Sequence, residues 1–89
     1  MYELEIREHL DRVFRKLAKK DSQQMEAIAR KIKEIAEDPH AFKPLRFPLA
    51  GKRRVHVGSF VLIFSIDEAR RTVVLEDYDH HDRVYGDGD

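Results

Sequence analysis

Apolar and polar residues alternate at the start of the chain. Tyr2, Leu4 and Ile6 fall on one side of an extended segment, Glu3 and Glu5 on the other. A period of two marks a short, half-buried strand. From residue 8 the period lengthens: Leu10, Val13, Phe14 and Leu17 recur at i, i+3, i+4 and i+7, one face of a helix over about 8 to 20. Asp21 or Ser22 is placed to cap a second helix, whose stripe is Met25, Ile28, Ala29, Ile32, Ile35 and Ala36 and which Pro39 stops. So short a break between two amphipathic helices predicts a helical hairpin.

After the proline-containing loop "DPHAFKPLRFP" the period returns to two. "RRVHV" reads as a strand, Gly58-Ser59 as a turn, "SFVLIFSI" as a second strand, "DEARR" as a turn and "TVVLEDY" as a third strand. The order β-αα-βββ predicts an α+β domain over residues 1–89. Its helical hairpin packs on one face of a small, twisted, mostly antiparallel sheet, and residues 86–89 form a flexible acidic tail. With Val55 and Val57 turned to the helices, alternation turns Arg54 and His56 to the other face.

Composition narrows the function classes. The chain has no cysteine, which excludes disulfides and thiolate zinc sites. Its longest apolar run, "FVLIF", is far short of the ~20 residues of a membrane span. The opening "MYELEIREHL" lacks the basic end and apolar core of a signal peptide, so a cytoplasmic location and no membrane partner are expected. Net charge is zero but unevenly spread. Residues 39–66 hold no Asp or Glu, yet carry His40, Lys43, Arg46, Lys52, Arg53, Arg54 and His56. A basic middle of this kind is either a phosphate-meeting surface or an ordinary solvated face.

The segment "DHHDRVYG" sets two histidines and a tyrosine among aspartates near the C-terminus. Adjacent side chains in an extended segment point opposite ways, which argues against His80 and His81 sharing a metal. No metal and no cofactor are expected. His80 reads as structural, hydrogen-bonding the backbone, and Tyr85 has an ordinary reading as an anchor packed on the sheet.

In this order and length the second half resembles the RelE/ParE toxin superfamily of toxin–antitoxin systems. "PLAGKRRVHVGSFVLIFSID" is similar to the family's leucine-glycine approach, its Arg-x-Arg-x-Gly-x-Tyr-Arg segment and the apolar strand that follows. "DHHDRVY" is similar to its His-Arg-x-x-x-Tyr ending. The resemblance implies an endoribonuclease that cleaves mRNA, often on the ribosome, and a cognate antitoxin that wraps and silences it. Position by position it carries Arg54, His56 and Tyr85 into the site. His81 stands where the family has Arg, Phe60 replaces a family tyrosine and Val61 the Arg after it.

Cleavage of RNA without a metal needs a base for the 2′-hydroxyl, a donor for the phosphorane charge and an acid for the departing 5′-oxygen. Arg54 is the natural phosphate clamp. His56 and His81 are the natural proton carriers, with base and acid not distinguished. Tyr85 could stack on a base or orient the phosphate, and Lys52, Arg53 and Arg83 are candidate RNA contacts. Two other readings stay open: a ParE-like inhibitor of DNA gyrase that cuts nothing, and a degenerate member that only binds its antitoxin. The helix stripes serve the core or an antitoxin groove, with Tyr2 as an exposed aromatic in reach.

Overall fold

The computed structural model describes residues 1–46 and 49–85, and for Tyr85 the backbone alone. The expected tail at 86–89 lies outside the described residues. The elements run β1 (Glu3–Ile6), α1 (Glu8–Lys20), α2 (Ser22–Glu37), a 3-10 turn (Pro39–Ala41), β2 (Lys52–Val57), β3 (Phe60–Asp67), β4 (Thr72–His80) and α3 (His81–Tyr85). The fold is α+β, with the helices packed on a four-stranded mixed sheet of order β1-β4-β3-β2. β2, β3 and β4 are antiparallel neighbours, and β1 joins β4 in parallel.

Asp21 makes the helical hairpin as tight as it is. Its backbone N–H closes α1 on the carbonyl of Leu17 at 2.8 Å, while its carboxylate accepts from the Gln24 N–H at 3.1 Å and caps α2. The hairpin buries Leu10, Phe14, Ile28 and Ile35 against Val55, Val57, Leu62, Phe64, Val73 and Leu75 of the sheet. Tyr78 closes this core at one end, stacked on Phe60 with ring centroids 5.1 Å apart and accepting from Gln24 Nε2 at 2.5 Å.

Three local expectations give way. Ala29 of the predicted stripe is exposed, and Ala27 packs on the core instead. Leu4 and Ile6 stay 44% and 38% exposed, because β1 is the edge strand and the helices do not reach across it. Tyr2 is not an exposed aromatic: the Arg71 guanidinium lies 4.6 Å above its ring, and His40 meets its edge.

Two backbone features place the site. Val57 pairs with Phe60, leaving a two-residue turn with Gly58 at φ +60 and Ser59 at negative φ. A positive φ at the first central position alone is the type II′ hairpin, which favours Gly there. This turn fixes His56 opposite Val61. The second feature is a β-bulge opposite Ile63/Phe64, where Glu76 is the extra residue. Before it the odd-numbered Val73 and Leu75 face the helices; after it the even-numbered Tyr78 does. One inserted residue reverses the phase of everything downstream.

Candidate functional site

β2 delivers Arg54 and His56 to the face away from the helical hairpin, since its Val55 and Val57 are in the core. The bulge brings the chain's end into the same region. Because it reverses the phase, His80 turns to the helix side. There its ring meets the edge of Phe60, with centroids 5.5 Å apart. Its Nδ1 accepts the Asp82 N–H at 3.2 Å, so His80 caps the short α3. His81 turns the other way. Its own N–H donates to the Ser59 carbonyl at 2.9 Å, which ties the start of α3 to the II′ turn.

The outcome is a stacked pair: the rings of His56 and His81 lie 5.7 Å apart, inclined by 24°. The Arg54 Nη1 contacts the His56 Nε2. Beneath them Val61, the residue paired with His56, is fully buried. Partial burial holds the His56 imidazole below its ordinary pKa of 6.5, and the charges of Arg54 and of protonated His81 lower it further. A carboxylate oxygen of Asp82 stands 3.7 Å from the His81 Nδ1, and the other 3.7 Å from the His80 Nδ1. Among the described residues no three His, Asp or Glu side chains gather as metal ligands.

The remaining candidates scatter. Lys52 stands on the same face as Arg54, its Nζ 3.5 Å from Glu76. Arg53 alternates to the opposite side, where it donates to the carbonyls of Phe42 at 2.7 Å and His40 at 3.5 Å. It fastens the loop before β2 and does not join Arg54 and His56. Arg83 is exposed on α3. Tyr85 ends α3, and the expected role of its side chain lies outside the described residues.

Sequence reading missed Glu76. From the bulge its carboxylate accepts from Ser65 Oγ at 2.6 Å and Arg7 Nε at 2.9 Å, beside Lys52. Burial works to raise its pKa, but the hydrogen bonds from Arg7 and Ser65, with the charges of Lys52 and Arg7, leave it lowered overall. The open face is thus basic along β2 and acidic along β4. The signal was present in "LEDY", where two consecutive polar residues interrupt an alternating strand.

On the helix side a groove of about 240 Å³ is lined by Val13, Lys16, Leu17 and Lys20 of α1, Gln24 of α2, and Phe60 and Tyr78 of the sheet. Val13 is 41% exposed. Among the described residues no helix is long and apolar enough to cross a membrane.

A hairpin of helices over a four-stranded mixed sheet is the fold of a known class of small toxins. A chain in the crystal structure of the toxin–antitoxin complex RelBE2 from Mycobacterium tuberculosis superposes with a TM-score of 0.75 and 27% identity, covering 90% of this chain and 98% of that one. The chain belongs to the RelE/ParE toxin superfamily: residues 2–85 match the model of the ParE toxin of type II toxin–antitoxin systems, parDE. A protein of Methanocaldococcus jannaschii that carries the toxin designation RelE4 is 48% identical over 86 residues, 96% of this chain and 92% of that one. An uncharacterized protein of Methanosarcina mazei is 55% identical over 86 residues, 96% of this chain and all of that one.

Proposed function

We propose that this toxin cleaves mRNA by metal-independent acid–base catalysis, on the ribosome or free of it. The observation that carries the reading is the His56–His81 stack with Arg54 against His56. Two titratable rings and a permanent cation on one sheet face are the groups that transesterification of RNA requires. In this reading Arg54 grips the scissile phosphate and Lys52 extends the basic track along β2. One imidazole takes the 2′-hydroxyl proton as that oxygen bonds to phosphorus. The other protonates the 5′-oxygen as its bond to phosphorus breaks, leaving a 2′,3′-cyclic phosphate and a 5′-hydroxyl.

Purified protein incubated with mRNA, with and without ribosomes and in excess chelator, is expected to yield those ends under every chelator condition. Chelator-abolished cleavage would place a metal in the reaction. Absence of cleavage at any pH, with growth arrest retained, would favour the second reading. That reading, gyrase inhibition by binding alone, draws on the ParE designation of the matching family model.

A cognate antitoxin is the proposed partner, in keeping with the antitoxin-bound relative from Mycobacterium tuberculosis. The groove of Val13, Leu17, Phe60 and Tyr78, flanked by Lys16 and Lys20, fits an amphipathic helix with apolar anchors and acidic flanks. Val13→Asp is expected to weaken co-purification with the product of the neighbouring gene at least tenfold. Unchanged binding would remove the groove from the interface.

A further inference from the structure

We infer that Arg54 is a positioning residue for His56: in the resting protein its guanidinium holds His56 neutral, in the Nδ1–H tautomer. RNA phosphate then draws the guanidinium away and frees Nε2 to act as the base, which leaves His81 as the acid. The inference rests on the cleavage reading for its last step, and on geometry alone for its first.

A guanidinium has five N–H donors, no acceptor, and keeps its proton at any pH a protein survives. The Arg54 Nη1 contact to His56 Nε2 therefore requires a lone pair on Nε2. A neutral ring whose Nε2 is an acceptor carries its proton on Nδ1. Protonated His56 would set one N–H against another and one positive charge against a second.

The surroundings keep it that way. Arg54 faces His56 from its own strand, and His81 faces it from α3. β3 offers buried Val61, and β4 offers Asp79 only on the far side of Val61. The carboxylate of Asp82 stands beside His81 and His80. Lys52 is engaged with Glu76. Two stacked rings at 5.7 Å resist carrying two protons at once. With the cation of Arg54 against its own ring and the carboxylate of Asp82 placed beside the other, His56 is the ring of the pair that stays neutral. The depressed pKa of His56 agrees with this division.

The same contact is a brake on the base, because an Nε2 lone pair bound to Arg54 is not available to a hydroxyl. Phosphate releases it. Phosphate carries a full negative charge where the neutral imidazole offers only a lone pair, so the guanidinium binds it more strongly, and the planar fork fits the phosphate oxygens. When the guanidinium turns to phosphate, Nε2 opens beside the ribose. It takes the 2′-hydroxyl proton as the P–O2′ bond forms. His81 gives its proton to O5′ as the P–O5′ bond breaks, and exchange with solvent restores both rings.

Nitrogen-15 NMR of the imidazoles in the free protein tests the resting state without any turnover. At neutral pH His56 is expected with Nδ1 protonated and Nε2 bare, and Arg54→Gln is expected to raise its titration midpoint toward 6.5. Arg54→Lys, which keeps the charge, is expected to leave the midpoint closer to that of the native chain. A protonated Nε2, or a midpoint unmoved in Arg54→Gln, would overturn the inference, and the tautomer readout needs no variant that has to fold. Adding a 2′-deoxy oligonucleotide, which lacks the attacking hydroxyl, is expected to move the His56 Nε2 resonance; an unmoved resonance in the saturated complex would sink the release step. If the NMR results hold while RNA stays intact with every preparation, the cleavage reading fails and the Arg54–His56 coupling stands. If RNA is cleaved and the tautomer is the other one, the reverse is true.

Discussion

Replacing His56 or His81 with alanine is expected to slow RNA cleavage by about 10²-fold or more, the usual loss when a general acid or base is removed. The native chain should show a bell-shaped dependence on pH. The acid limb reports protonation of the base, so it should vanish in His56→Ala. The alkaline limb reports loss of the acid's proton and should vanish in His81→Ala. His80→Ala is the internal control. It removes a hydrogen bond to the backbone of Asp82, worth about 1 kcal/mol of stability, and leaves the stacked rings on the open face in place. Equal losses at His80 and His81, together with chelator sensitivity, would turn the pair into a metal site.

The low His56 pKa also acts on stability, and its sign is determined. Below the unfolded value of 6.5 the unfolded chain takes up a proton that the folded chain accepts only at lower pH. The stabilisation is therefore complete above 6.5 and is lost as pH falls through the folded value. Glu76, also lowered, adds a second loss further into acid: its contribution is present above 4.5 and disappears as pH falls through its own folded value.

The largest loss of stability is expected at Phe64. Its ring is fully buried, in the middle of the core-facing row of β3, and meets the edge of Phe42 at a centroid distance of 5.9 Å. Phe64→Ala removes that apolar area and leaves a cavity which the flanking strands limit from closing. Losses of about 3–5 kcal/mol are usual for such a change, against roughly 5–15 kcal/mol for a whole domain. Urea unfolding should show the midpoint collapse, with Val13→Ala, at a 41% exposed position, changing little. A Phe64→Ala midpoint near that of the native chain would show the core to be more forgiving than this packing implies.

Much of this protein was legible in its sequence because periodicity is a local property. The i, i+3, i+4 spacing of Leu10, Phe14 and Leu17, the cap at Asp21, the stop at Pro39 and the Gly58-Ser59 turn each act within a few residues. Together they set the helices, the hairpin and the α+β class. Alternation likewise put Arg54 and His56 on one face, since two residues on a strand share a side whatever lies around them.

Tertiary structure decided what depends on neighbours distant in sequence. The sequence called β1 half-buried, but its position at the sheet edge left Leu4 and Ile6 open. It offered Arg53 as an RNA contact, but strand phase and the carbonyls of Phe42 and His40 made it a loop fastener. Above all, periodicity alone could not say which of two adjacent histidines would meet His56; the choice of His81 came from the resemblance of the ending. The Glu76 bulge reverses the phase of β4, and the Ser59 carbonyl receives the His81 N–H. Those two long-range pairings, and no property of "DHHD" by itself, sent His80 to the helix side and set His81 on His56.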